Sequence, residues 1–149
     1  MREAIQAALK DAMKSQQKRR VATLRLISAA IKDRDIAARS QGKDAVGDDE
    51  ILQILAKMVK QREESARIYE EAGRLELSEE EREEIEIISE FLPRQLSEEE
   101  TRAVCAGVIA EIGASGLRDM GKTMSALKER YPGQMDFSKA SGIVKEQLQ

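Results

Sequence analysis

The sequence contains no histidine and no tryptophan, one cysteine and two prolines, and only 3% of its 149 residues are aromatic. These shortages remove whole classes of chemistry. Without histidine the chain supplies no Ser-His-Asp triad, no Cys-His pair, no His-ligated zinc site and no imidazole general base. A single cysteine, Cys105, closes no internal disulfide, which fits a reducing compartment. No apolar run approaches the ~18–20 residues that cross a bilayer, and Met1-Arg2-Glu3-Ala4 opens no uninterrupted signal-type segment. A soluble, cytoplasmic chain with no membrane partner is therefore expected. The four aromatics, Tyr69, Phe91, Tyr131 and Phe137, are too few and too dispersed for a base-stacking platform of the single-strand type.

What is present is an apolar fraction of 41%, enough to build a core, and a charged fraction of 36% with a formal net charge of −3. The charge is unevenly divided. Residues 1–47 carry a net charge of +6, residues 48–100 carry −11 and residues 101–149 carry +2. The total argues against indiscriminate nucleic-acid binding but leaves two positive ends.

Helical periodicity runs through nearly the whole chain, whereas β-type alternation and hairpin turn pairs are missing, so the fold class is all-α. The spacing predicts a first helix over 3–15 with Ile5, Leu9, Ala12 and Met13 inside. A second over 17–38 places Val21, Leu24, Ile27 or Ser28, Ile31 and Ile36 near one face. Gly42 and Gly47 break the pattern, and Asp48 is the expected N-cap of a third helix over 49–72, which stops at Gly73. Ser78-Glu79-Glu80-Glu81 has the form of a capping box and is expected to open a fourth helix, with Ile85, Ile88 and Leu92 inward and the acids of 79–90 forming a solvated face. Leu92-Pro93 ends it. A second capping box, Ser97-Glu98-Glu99-Glu100, starts a fifth helix that Gly113 closes. A sixth spans 118–130 with Met120, Met124 and Leu127 inside, and a seventh begins at Asp136 after a Pro132-Gly133 turn. The domains read as a bundle of about four helices over 1–92 and a compact three-helix unit over 95–149.

One string mimics a nucleotide site. Gly116-Leu117-Arg118-Asp119-Met120-Gly121-Lys122-Thr123 satisfies G-x-x-x-x-G-K-[ST], but a P-loop needs a buried strand feeding it and the segment before it has helical spacing. A turn into a helix with an exposed Lys122 is expected instead. Cys105 shares its stripe with Val108, Ile109 and Ile112 and reads as a small core residue. Basic residues cluster around the first inter-helix turn, at Lys10, Lys14, Lys18, Arg19, Arg20 and Arg25, and spread over the C-terminal unit. Both sets suit phosphate contacts or plain ion pairing.

Leu24-Arg25-Leu26-Ile27-Ser28-Ala29-Ala30-Ile31-Lys32, Lys60-Gln61-Arg62-Glu63-Glu64-Ser65, Phe91-Leu92-Pro93-Arg94-Gln95-Leu96-Ser97 and Asp119-Met120-Gly121-Lys122-Thr123-Met124 resemble the GatB/YqeY family, in order and across the chain. The resemblance implies a stand-alone protein of bacterial type whose C-terminal unit is similar to the tail domain of the GatB component of the aspartyl/glutamyl-tRNA amidotransferase, which helps hold the tRNA. It implies partners of two kinds: tRNA or another structured RNA, and components of an amidotransferase or an aminoacyl-tRNA synthetase. Gly133-Gln134-Met135-Asp136 departs from the Gly-Arg-Ala-Asp that family members often show, which removes a bidentate phosphate contact at Gln134.

Three functional readings follow. In the first the protein is non-catalytic and contacts RNA through Lys122, Lys128, Arg130 and Lys139, with Gly121 allowing close backbone approach and Arg118 as a further contact. In the second it is an adaptor presenting its acidic 79–90 face to a basic partner. In the third it is a carbon–nitrogen ligase with glutamine as amido-nitrogen donor. Residues for ATP, metal and ammonia handling have no counterpart in the sequence, so no catalytic residue, metal or cofactor is expected.

Overall fold

The computed structural model describes residues 1–149 as seven α-helices with no strand. The chain is all-α, and it divides into two compact units, Met1–Leu92 and Pro93–Gln149.

In the first unit α1 (Arg2–Lys14), α2 (Lys18–Ser40), α3 (Asp48–Glu71) and α4 (Leu75–Ser89) surround one apolar cluster that includes Ile5, Leu24, Ile27, Ile51, Leu55 and Ile88. Two of the turns that join these helices are short because the chain reverses within a few residues of the helix end. At Gly73 the backbone takes φ +73°, and the Arg74 amide reaches back to the Tyr69 carbonyl at 2.8 Å, so the last turn of α3 is closed and α4 begins at once. Gln16 does the same between α1 and α2 with a side chain attached, at φ 55° and with Gln17 N–H donating to the Ala12 carbonyl at 3.0 Å. A left-handed residue with a Cβ carries a local cost that the packing of α1 on α2 must offset.

Several expectations for this unit are corrected. Ser78 does not open α4. It lies one turn inside the helix, almost fully buried, and its hydroxyl donates to the Ala66 carbonyl of α3 at 3.0 Å. Because the Gly73 turn lets α4 start at Leu75, the serine is carried into the α3–α4 contact, where two small residues, Ala66 and Ser78, bring the helices close. Asp48 is likewise the first residue of α3, and Gly47 takes the N-cap position, so Asp48 acts on the helix dipole together with Asp49 and Glu50. Met13 and Ile36, assigned to inner faces from spacing, are 51% and 54% exposed.

A buried-edge ion pair ties three segments of the unit together. The Arg2 guanidinium donates to both carboxylate oxygens of Asp35 at 2.9 and 2.7 Å and to the Val46 carbonyl at 2.9 Å. Val46 N–H donates to the same carboxylate at 3.0 Å, so α1, α2 and the segment before α3 meet at one side chain. Arg2, and after it the Val46 amide, hold the Asp35 carboxyl down at about 2.

In the second unit α5 (Glu98–Ile112) begins with the expected capping box. The Ser97 hydroxyl accepts from Glu100 N–H, and the Glu100 carboxylate accepts from Ser97 N–H, both at 3.1 Å. Arg94 and the Ser97 amide hold the Glu100 carboxyl at about 2. A 3-10 turn over Leu117–Asp119 leads into α6 (Met120–Arg130), and α7 (Phe137–Leu148) is capped by the Asp136 carboxylate, which accepts from Ser138 N–H at 2.9 Å. Cys105, Val108, Leu127, Ala140, Ile143 and Val144 fill the interior. Burial pushes the Cys105 thiol above its ordinary range, as suits a core residue.

Candidate functional site

The P-loop-like string contains no phosphate-binding loop. Gly116 is extended, residues 117–119 form the 3-10 turn, and the element before them is the helix α5. Thr123, which would ligate a metal-bound phosphate in a P-loop, is buried and donates its hydroxyl proton to the Asp119 carbonyl at 2.9 Å. The Asp119 carboxylate in turn accepts from Ser115 N–H at 2.9 Å. The string is a helix-entry turn, and its lysine is exposed.

That entry places two of the predicted contact residues on the first turn of α6. Gly121 and Lys122 are its second and third residues, both exposed, and the first turn holds no acid. A methyl group added at Gly121 would meet nothing within 4 Å, so a ligand can approach the backbone there. At about 100° per residue, Lys128 lies roughly 120° around the helix from Lys122, with Gly121, Ser125 and the exposed Glu129 between them. Arg118 stands in the 3-10 turn just before this face, also exposed. The ion pairs of the unit involve Arg94, Arg102 and Arg130, and Arg118, Lys122 and Lys128 take part in none of them.

Arg130 is different. It lies roughly 80° from Lys122 and 160° from Lys128 around α6, and what sets it apart is its pairing with Glu111 of α5. Lys139 is on another helix, as the exposed third residue of α7, whose first turn also lacks an acid. A cation near a helix N-terminus gains nothing from the dipole, so Lys122 and Lys139 are not explained by helix stabilisation. The structure thus sets Gly121, Lys122 and Lys128 on the exposed surface of α6 with Arg118 in the turn before it, sets Lys139 on a separate helix and holds Arg130 by an internal carboxylate.

The basic cluster around the first inter-helix turn has another fate. Arg19 pairs with Glu80 and Glu83 of α4 at 3.4 and 2.8 Å, and Arg20 pairs with Glu90. Arg62 of α3 pairs with Glu84 at 2.8 Å, and Arg82 pairs with Glu70. The acids of 79–90 are mostly exposed, as expected of a solvated face, and four of them also pair with arginines of α2 and α3. Burial, and after it the neighbouring Glu84, pushes the Glu81 carboxyl up. A shallow depression of about 490 Å³ beside these pairs is walled by Arg19, Arg20, Glu83 and Glu90, whose charges meet one another. No group of three or more Cys, Asp or Glu is arranged to hold a metal ion. No helix is long and apolar enough to cross a membrane.

The protein is thus an all-helical, two-unit chain whose second unit exposes Arg118, Lys122 and Lys128 outside its ion pairs. The family model described as Yqey-like protein matches residues 2–148, and the chain belongs to that family. An uncharacterised protein of Schizosaccharomyces pombe is 32% identical over 93 residues, which cover 62% of this chain and 72% of the yeast protein.

Proposed function

We propose that this protein contacts tRNA or another structured RNA through its C-terminal unit, in the manner implied by the resemblance of that unit to the tail domain of the GatB component of the amidotransferase. The observation that carries the reading is the exposed surface at the start of α6, where Arg118 of the preceding turn, Lys122 and Lys128 stand outside the unit's ion pairs near the small residues Gly121 and Ser125, with Glu129 sharing that surface. Cations left unpaired on a small-residue surface suit phosphates that approach the backbone closely, and such contacts position a folded RNA without reading its bases. Lys139 adds a contact from α7. Arg130 contributes only when Glu111 releases it. The adaptor reading is weaker, because much of the acidic α4 surface is already paired within its own unit.

Filter binding of folded tRNA at several salt concentrations tests this. Lys122→Ala with Lys128→Ala is expected to weaken binding across RNA sequences and to reduce the salt slope by about 0.7–0.9 per cation removed. Glu111→Gln, which frees Arg130, is expected to strengthen binding and steepen the slope. Wild-type affinity in the double variant overturns the assignment.

A further inference from the structure

The outward face of α2 carries a second pattern, independent of α6. Lys18, Arg25, Lys32 and Arg39 recur every seventh residue along the helix, a row spanning about 32 Å at 1.5 Å per residue. All four are exposed. The other arginines of α2 are engaged inside the unit, Arg19 and Arg20 with α4 and Arg34 with Glu50 of α3 at 3.8 Å. Lys18, Arg25 and Lys32 enter no ion pair, and Arg39, which lies near Asp35, donates from Nε to the Asp44 carbonyl at 3.3 Å.

Beside this row runs an apolar stripe opposite the core. Ala22, Leu26, Ala29, Ile36 and Ala37 are all exposed, with Leu26 at 47% and Ile36 at 54%. Leu24, Ile27 and Ile31, on the far side of the helix, are buried. α2 is therefore apolar on two faces, and only one of them is used by its own unit.

We propose that this face of α2 docks an acidic amphipathic helix of a partner protein. A cation every seven residues beside an apolar seam is the arrangement that meets carboxylates at the flanking positions of a heptad helix. The seam drifts by about 20° per heptad, which a partner crossing at about +20° follows. Ala22 and Ala29 permit close approach, while Leu26 and Ile36 supply the apolar anchors. Asp33 lies within the stripe, where it disfavours immersion in lipid and calls for a small or polar residue opposite it on the partner helix, and an RNA would leave Leu26 and Ile36 unmatched.

The test titrates the full chain with a fluorescent synthetic four-heptad peptide that has a Leu/Ala seam flanked by glutamates. The expected result is saturable, salt-sensitive binding, weakened about tenfold or more by Arg25→Glu with Lys32→Glu and comparably by Leu26→Ser with Ile36→Ser. Thermal melts should match wild type, since all four positions are exposed. Equal binding of a lysine-for-glutamate peptide overturns the proposal, as does insensitivity to either pair of substitutions. It is also overturned if the same residues instead drive binding to phosphatidylserine-containing vesicles or to folded tRNA, or self-association in sedimentation. RNA binding that depends on Lys122 and survives Arg25→Glu with Lys32→Glu belongs to the C-terminal unit and leaves this face untouched.

Discussion

The two units divide their charge differently. In the first, arginines reach between helices to carboxylates: Arg2 to Asp35, Arg19 to Glu80 and Glu83, Arg20 to Glu90, Arg62 to Glu84. In the second, Arg102 to Glu146 and Arg130 to Glu111 also join helices, but several acids serve helix starts, Glu100 and Asp136 as caps and Asp119 on the turn before α6. The cations of α6 are left over, apart from Arg130. A row of basic residues in sequence is therefore no guide to a binding surface until it is known which of them have a neighbour to pair with.

Core truncation is the strongest way to break the contrast. Leu55 and Leu127 are both fully buried, one in each interior. Truncation to alanine should cost about 2–5 kcal/mol at either site. Hydrogen exchange should accelerate mainly over α1–α4 for Leu55→Ala and mainly over α5–α7 for Leu127→Ala. Exchange that rises evenly over the whole chain in both variants would merge the two units into one.

Acid sharpens the comparison further. Asp35 and Glu100 are both held at about 2, below the ordinary carboxylate value near 4. Groups lowered on folding contribute stability fully above about pH 4 and lose it as pH falls toward about 2. Denaturant melts between pH 5 and about pH 2 should therefore fall more steeply for wild type than for Asp35→Asn or Glu100→Gln. The Asp35 variant should alter the α1–α3 junction and the Glu100 variant the start of α5. A wild-type slope retained in both variants would locate the acid sensitivity elsewhere.

The smallest effect separates two similar strings. Ser97→Ala removes a working N-cap and should cost about 1 kcal/mol in a urea melt. Glu81→Ala, at the position of Ser78-Glu79-Glu80-Glu81 that corresponds to Glu100, should stay within about 0.5 kcal/mol because no cap exists there.

That pair also shows how far the sequence can be read. Both strings match the capping-box pattern, but only Ser97 follows a proline-containing segment that leaves the chain extended, with φ −68° and ψ 167° at the cap. Before Ser78, the Gly73 turn has already started the helix, so the serine side chain is spent on Ala66. Ile36, expected near the inner face of α2, lies about 140° around the helix from Ile31 and 180° from Ile27, so the helix turns it outward beside the cation row. On the candidate site, the helix entry at Gly121-Lys122 and the exposure of Lys122 are legible, because a P-loop needs a strand that the spacing denies. The pairing of Arg130 with Glu111 is not, since the partner lies 19 residues away on another helix.

Local patterns alone determined the all-helical class and most helix stops, because glycine at positive φ and apolar periodicity act within a few residues. They also determined the exclusion of histidine chemistry. Only the tertiary structure decided which charges are consumed and which remain. An ion pair depends on which side chains packing brings within about 4 Å, and no one-dimensional pattern sets that distance across separate helices.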